Sequence, residues 1–396
     1  MGGDEVFAVD HGTGADHAAV GRLLTHGFAM EPETVAPYLS LVGADNLRVV
    51  RDGADVVGTA ALLPMGQYFG QRSVSMTGVA GVAVAPHYQR QGVATALMRD
   101  LVRELAEAGV GLSTLYGSTL SLYRKVGYEC SGTRFFAELD AKTIGLDERE
   151  GVLLPMDAAA ETRIRALYGS HAPSFAGHLD RREYIWTRLL HAWAGHTPHC
   201  VMATRDDGHV EGYVAYSKRR RADFSHDIVV HDLFAISAWG YRRLWTFIAG
   251  LSTSLVRRVV LYTAPHDPAR LVLPDAQFDV TLGDAWMMRI ANLEAAMSER
   301  GYPPRLAADL DLDIYDDIVD DNNGQWRLTV RSGRGVIQRG GTGALRTDMR
   351  GLAALYSGFS QPAGLVATGQ LHGTPAALAL AGSIFSGPQP WMREMF

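Results

Sequence analysis

Apolar positions along the first 140 residues change their spacing several times, and those changes predict alternating helices and strands. Ala15 to Phe28 repeats its apolar residues at helical spacing, and Leu47 to Arg51 is a short apolar run ending at the turn Asp52-Gly53. Val56 to Phe69 and Val74 to Ala85 are long apolar runs on either side of Gly70-Gln71, which predicts two strands joined by a turn. Pro86 ends the second of them. From Gly92 to Ala108 the residues Val93, Ala96, Leu97, Leu101, Leu105 and Ala108 fall on one stripe of a helix, stopped by Gly109. A strand from Gly111 to Leu115, a short helix from Ser118 and a last strand complete a mixed α/β sheet.

The same order of elements recurs further on. Val210 to Ser217 and Asp227 to Ser237 are expected strands, Trp239 to Ser252 an aromatic-rich helix, and Val259 to Thr263 another strand. This repetition predicts an internal duplication with little surviving identity. A third unit begins near Met287. It holds a helix over Ile290 to Gly301 and a hairpin of Leu310 to Ile318 with Trp326 to Val330 around Asn322-Asn323-Gly324. Helices over Met349 to Ser357 and Pro375 to Ile384 follow. The expected fold class is α+β, in three domains: 1–140, 141–286 and 287–396.

Composition narrows the picture. A chain of 396 residues is too long for one ordinary core, and 47% apolar with 20% charged residues is typical of soluble globular domains. A formal charge of −6 argues against a general nucleic-acid binder. The two cysteines, Cys130 and Cys200, form neither a disulfide framework nor a zinc pattern, so a reducing cytoplasm is the expected location. The acidic start Met1-Gly2-Gly3-Asp4-Glu5-Val6 is no signal peptide, and Val6 stands where a myristoylation signal needs Ser or Thr. No apolar run approaches a membrane span, which requires about 18 residues.

Candidate chemistry concentrates between residues 78 and 128. A strand through Val82, Ala83 and Val84 leads into Gln89-Arg90-Gln91-Gly92-Val93-Ala94-Thr95, where a helix opens. Free backbone N–H groups and the positive helix end suit a pyrophosphate, and Gly92 leaves no Cβ in the way. Ser118-Thr119-Leu120-Ser121-Leu122-Tyr123 follows one helix and one strand later, ahead of Gly127-Tyr128. A phenol beside a departing thiolate is a reasonable proton donor, since a thiol pKa near 8.5 makes the leaving group modest. Tyr128 reads as a core residue.

These segments resemble the acetyl-CoA-binding pattern of the GNAT acetyltransferase superfamily, and the layout is similar to its enhanced-intracellular-survival (Eis) family. The matching features are Val82-Ala83-Val84-Ala85-Pro86, the loop to Gly92, Ser118 ahead of Leu122-Tyr123, and the tail ending in Phe396. The resemblance implies tandem GNAT-like modules, the second degenerate, followed by a sterol-carrier-protein-like domain. It implies acetyl-CoA as acyl donor, held by Val82, Ala83, Val84, Gln89, Arg90, Gln91, Gly92, Val93, Ala94, Thr95 and Ser118. Tyr123 would be the general acid, and the carboxylate of Phe396 the base. The acceptor implied is a small-molecule primary amine, aminoglycoside-like or another secondary metabolite, contacted by His26, Phe28, Tyr38 and Glu394. A homo-oligomer, specifically a hexamer, is implied too; the sequence itself offers only Trp186, Trp193, Trp239 and Trp245, surplus aromatics that suit either an interface or the core. Gly81, where family members carry a bulky aromatic, and the Gln-Arg-Gln loop depart from the pattern.

Other groupings read less sharply. His191, His196, His199 and Cys200 lack the ligand spacing of a zinc site, so no metal is expected. Asp309, Asp311, Asp313, Asp316 and Asp317 alternate with apolar residues as a solvated strand face does, and Lys218 to Arg221 reads as a solvated strand end. In the second module, Trp239 and Tyr241 stand where small residues would admit a pyrophosphate, which predicts one CoA site per chain. A non-catalytic lipid- or acyl-CoA-binding protein with a relic acetyltransferase fold is the alternative.

Overall fold

The two long apolar runs form one antiparallel hairpin, Asp55–Phe69 with Arg72–Val84, turned at Gly70 and Gln71 with φ of 59° and 68°. Two successive positive φ values give the two-residue turn whose twist matches the strands it joins. The computed structural model describes residues 7–193, 197–251, 255–275 and 278–396. Met1 to Val6, His196 and Ser252 therefore lie outside the described residues. The amphipathic stripe forms the helix Val93–Glu107, which buries Val93, Leu97, Met98, Leu101, Val102 and Leu105 against the hairpin.

A 13-stranded sheet runs through both acetyltransferase-like modules. Its first part is Ala8–His11, Leu47–Asp52, the hairpin and Leu112–Tyr116; its last part is Val256–Thr263, His226–Ala235, Val210–Arg220, His199–Thr204 and Val152–Pro155. Two strands join these halves by crossing between them. Asp279–Ile290 pairs Trp286–Ile290 with Leu112–Tyr116, and its other edge pairs with Glu129–Leu139. Glu129–Leu139 then pairs Phe135–Leu139 with Val259–Thr263. The expected boundary at 286/287 therefore cuts a continuous strand. The helix expected from Ile290 also starts too early: Ile290 ends the strand, and Asn292 caps the helix Leu293–Glu299 by accepting from Ala295 N at 3.0 Å. A short apolar run such as Trp286–Ile290 fits either element by periodicity, and burial on both faces decided for strand.

The third domain carries its own five-stranded sheet, in the order Arg334–Arg339, Gly324–Arg331, Ala308–Tyr315, Leu345–Asp348, Leu371–Gly373. Alternation is strict along Ala308–Tyr315. Leu310, Leu312 and Ile314 are buried, while Asp309, Asp311 and Asp313 pair with Arg331, Arg327 and Arg346. The expected tight turn at Asn322-Asn323-Gly324 is instead an eight-residue connection, 316–323, organised by Asp316. That carboxylate accepts from Ile318 N, Val319 N and Asn322 Nδ2, and it forms a fully buried ion pair with Arg289 at 2.6 Å.

Trp186, Trp239 and Trp245 are buried in the second module's core and Trp193 is half-buried, so these aromatics give no support to an interface between subunits. They complete cores against Tyr168, Leu244 and Ile248.

Replacing Asp316 by Ala leaves the Arg289 guanidinium buried without its counter-charge. The expected loss is about 3–5 kcal/mol, read as a drop in the urea midpoint of the intact protein; an unchanged midpoint would show that the pair is dispensable.

Candidate active site

Strands Arg72–Val84 and Leu112–Tyr116 run parallel, yet they pair only from Met76–Leu112 to Gly78–Thr114 and then part. On the other edge of Arg72–Val84 the register slips: Thr59 faces Ala83, but Ala61 faces Ala80. Gly81, with φ of 59°, lies in this bulge. A bulge bends its strand and terminates regular pairing, so the strand leaves its parallel neighbour and a cleft opens between them.

That cleft has a volume of about 580 Å³ and is lined by Val82, Ala83, Val84, Gln89, Arg90, Gly92, Val93, Ala94, Thr95, Ser118 and Tyr123. Gln91 is the one expected donor-binding residue missing from its wall; its side-chain amide turns back to donate to His87 O at 2.7 Å. Gly92 has φ of 92°, and a Cβ there would meet nothing within 4 Å. The glycine thus serves the backbone conformation and leaves open space before the helix end. No side chain caps the helix Val93–Glu107, and its first turn holds no acid. Arg90 is also left-handed, at φ of 63°. Alternating left-handed residues at an uncapped helix start turn backbone N–H groups outward, an arrangement that suits a pyrophosphate.

The second module closes both of the equivalent places. Ser237 caps its own helix, Ala238–Gly250, by accepting from Gly240 N at 3.0 Å, and its hydroxyl donates to the Glu211 carboxylate. Burial works against that charge, but the bonds from Arg205 and Ser237 hold the Glu211 carboxyl below its ordinary range. A carboxylate already at the helix start repels a phosphate. The strands His226–Ala235 and Val256–Thr263 part after Val230–Leu261, and the Arg393 guanidinium fills the gap, donating to Leu233 O at 2.8 Å and Tyr262 O at 2.9 Å. Trp239, expected to obstruct this loop, instead turns into the core; the obstruction comes from Glu211, Ser237 and Arg393.

Tyr123 sits on the short helix Leu120–Arg124 in the wall of the first cleft. Its ring is packed edge-on to Tyr128 with centroids 6.1 Å apart, and burial pushes its hydroxyl up to about 12. It therefore stays protonated throughout the neutral range. The turn behind it is fixed: Tyr128 N donates to Tyr123 O at 3.1 Å, and Arg289 donates to Val126 O at 2.9 Å. Tyr128 itself is fully buried with its hydroxyl 2.6 Å from Ser113 Oγ, as its core reading requires.

The tail returns from the third domain to the strands that bound this cleft. Thr133 N donates to Pro390 O, Met392 N to Thr133 O, and Trp391 N to Ala176 O. Glu394 is buried, and its carboxylate pairs with Arg181, which also binds Asp232 at 2.6 Å. This corrects the expectation that Glu394 contacts a cationic acceptor, because the charge is already committed to Arg181. Tyr116 donates to Glu394 O at 2.7 Å and Arg188 to Met395 O at 2.7 Å. The Phe396 ring ends on Gly78, where an added Cβ would lie 2.7 Å from it, and meets Tyr116 edge-on at 6.0 Å.

The remaining acceptor residues are not gathered together. Tyr38 is buried with its hydroxyl toward Gly81, whose added Cβ would lie 3.0 Å from it. His26 instead lines a groove with Arg22, Val35 and Leu39 between helices His17–Phe28 and Pro32–Val42, and Phe28 is 49% exposed. Arg181, Asp232, Arg289 and Tyr116 were missed by sequence reasoning, since each acts through contacts made only on folding. Among the described residues no three His, Cys, Asp or Glu side chains gather as a metal site would require, and no helix is long and apolar enough to cross a membrane.

Comparison with known proteins agrees with this geometry. The acetyltransferase (GNAT) domain family matches residues 8–131 and, through a second such family, residues 177–290; the sterol carrier protein domain matches 293–393. A GCN5-related N-acetyltransferase from Anabaena variabilis superposes with a TM-score of 0.93 at 32% identity, over 98% of this chain and 100% of that one. The chain belongs to the GCN5-related N-acetyltransferases. It is an Eis-like N-acetyltransferase in layout: the N-acetyltransferase Eis of Mycobacterium tuberculosis is 28% identical over 365 residues, 86% of each chain. An N-acetyltransferase of Streptomyces avermitilis is 28% identical over 93% of this chain and 94% of its own.

Two outcomes follow for the sites. Calorimetry with CoA should return one site per chain, and Gly92→Val should weaken that site by displacing the phosphates from the backbone donors; two sites in the wild type would overturn the account of the second module. Burial opposes ionisation of Asp232, but Arg181 and Arg393 hold its carboxyl far below the usual carboxylate range. A depressed carboxyl contributes stability that is complete above its ordinary pKa, about 4, and is lost as pH falls below it. Wild-type urea midpoints should therefore show an acid limb below about pH 4 that is reduced in Asp232→Asn, with Asp232→Asn less stable at neutral pH.

Proposed function

We propose that the protein transfers the acetyl group of acetyl-CoA directly to a primary amine of a small molecule, with Tyr123 as general acid and the Phe396 carboxylate as base. The observation that carries this reading lies at the open end of Leu112–Tyr116. Tyr116 touches the Phe396 ring, and at the next residue, Gly117, an added Cβ would lie 3.0 Å from the Tyr123 ring. These two contacts at one strand end support a reading in which the terminal residue and Tyr123 serve the same cleft. Val82, Ala83 and Val84 offer strand edge to the pantetheine arm, and the uncapped helix start takes the pyrophosphate.

In the reaction the amine nitrogen attacks the thioester carbon, a C–N bond forms and the C–S bond breaks. A backbone N–H beside the bulge at Val82 donates to the oxygen on which charge develops. Tyr123 gives its proton to the leaving thiolate and regains one from solvent. The proton leaving the amine passes to the Phe396 carboxylate, directly or through water. A free α-carboxyl has a pKa of about 3.3–3.7, and this role requires withdrawal from water, which raises a carboxyl's proton affinity. Homo-oligomerisation belongs to this proposal through the family resemblance alone.

Tyr123→Phe should keep CoA affinity and lower turnover roughly 10²–10⁴-fold, measured as thiol release with saturating amine; full activity would reduce the tyrosine to packing. Deleting Phe396, or appending a short C-terminal tag, should abolish turnover while CoA still binds. A tagged enzyme with full turnover would remove the carboxylate from the mechanism.

A further inference from the structure

Tyr123 stands on a helix, Leu120–Arg124, of only five residues. A single helical turn has little stability of its own, because fixing its backbone costs more than its few bonds return. Among the described residues nothing hydrogen-bonds the Tyr123 hydroxyl, so the phenol goes where its backbone and the Tyr128 ring put it. The residues that follow close a tight turn: Val126 N and Tyr128 N both donate to Tyr123 O, and Gly127 N donates to Arg124 O. What holds this turn therefore sets the phenol.

Two anchors hold it, and both reach back to the third domain. At the first, Arg289 donates to Val126 O and is itself paired with Asp316. Gly127, with φ of 82°, sits so close that an added Cβ would strike this guanidinium and lie 3.3 Å from the Cβ of Met349. The second anchor is Glu129, which is buried. Its carboxylate accepts from Arg124 Nη2 at 2.8 Å on one side, and from Arg350 Nε at 3.0 Å and Gln370 Nε2 at 3.3 Å on the other. Burial opposes this charge, but the bonds from Arg124 and Arg350 hold the carboxyl below its ordinary range. Asp316, Met349, Arg350 and Gln370 all belong to the sterol-carrier-like domain, and none of them lines the donor cleft. Whatever they do for the reaction passes through the turn.

We infer that Glu129 is a positioning residue for the acid: clamped from the third domain by Arg350 and Gln370, it holds Arg124 and so fixes the turn from which Tyr123 reaches the donor cleft. This rests on Tyr123 as the acid of the transfer reading. It gives the sterol-carrier-like domain a part in catalysis apart from the tail it supplies. A carboxylate shared between two guanidiniums is a stiff link, since every bond in it is charge-assisted.

The test follows thiol release by the full chain with acetyl-CoA and tobramycin, or acetyl-CoA hydrolysis if tobramycin is not acetylated. Glu129→Gln keeps the shape and loses the charge, whereas Arg350→Gln removes the third-domain side and leaves Arg124 paired with Glu129. Each should lower kcat about 10- to 100-fold, the cost of a misplacement of roughly 1 Å, and leave calorimetric CoA affinity unchanged. Arg350→Lys, which keeps a charged donor, should recover part of the loss. The deciding measurement repeats Glu129→Gln in the Tyr123→Phe background. There the hydroxyl to be positioned is already gone, and the further loss should stay under about twofold. Equal losses in both backgrounds would reduce Glu129 to a stabilising residue and overturn the inference, as would wild-type kcat in both Glu129→Gln and Arg350→Gln. NMR of ring-labelled tyrosines reads the same point without an acceptor. The resonance missing from Tyr123→Phe should shift or split in both variants, and an unmoved resonance in both overturns the inference. Equal losses beside an impaired Tyr123→Phe leave the acid in place, whereas Tyr123→Phe with full turnover removes the acid and the positioning role with it.

Discussion

The buried Arg181 guanidinium, shared between Asp232 and Glu394, is the interaction on which the candidate site depends. It lies in the second module, takes one carboxylate from that module's sheet and one from the tail, and so carries the last residues of the third domain into the first. A guanidinium withdrawn from water needs nearly all its donors met. Asp232, Glu394 and the Tyr213 hydroxyl meet them here, with the Tyr168 ring 3.7 Å below its plane. Breaking one partner would strand a charge in a site that cannot hydrate it. The tail position is therefore enforced by the cost of the alternatives.

The two modules show how one fold becomes two different parts. Their sheets share a plan, including a parallel pair that separates at one end. In the first module the separation stays open and the neighbouring helix start is uncapped. In the second, Arg393 enters the separation and Ser237 with Glu211 occupies the helix start. In the second module protein groups occupy both places, and what it holds is the tail.

Much of this was legible in the sequence where the governing physics is local. The amphipathic stripe from Val93, the apolar runs on either side of Gly70-Gln71, and the loop ending at Gly92 each depend on neighbours within one element, and each forms where expected. Tyr123 lines the cleft because a turn four residues long sets it there. The misreadings have a common cause. Whether Trp239 faces a ligand or a core, whether Glu394 is free or paired, and whether Trp286–Ile290 is strand or helix are settled by partners in other elements, such as Gly151 and Arg205, Arg181, and Leu112–Tyr116, and spacing along the chain carries no record of them. The alternation of Asp309 to Ile314 was readable, yet Asp316 broke from it, because Arg289 waits in the adjoining sheet.

The crossed strands between the modules also set an order of assembly. Leu112–Tyr116 finds its outer neighbour only in Asp279–Ile290, and Glu129–Leu139 lies between two strands of later sequence. During synthesis from the N-terminus, the first module therefore emerges with the outer edge of Leu112–Tyr116 bare, and it keeps that edge until the strand ending at Ile290 has been made. Pairings so distant in sequence form slowly, and an uncovered apolar edge is where nascent chains stick to one another. The first module thus depends on the second for the strand that completes its sheet.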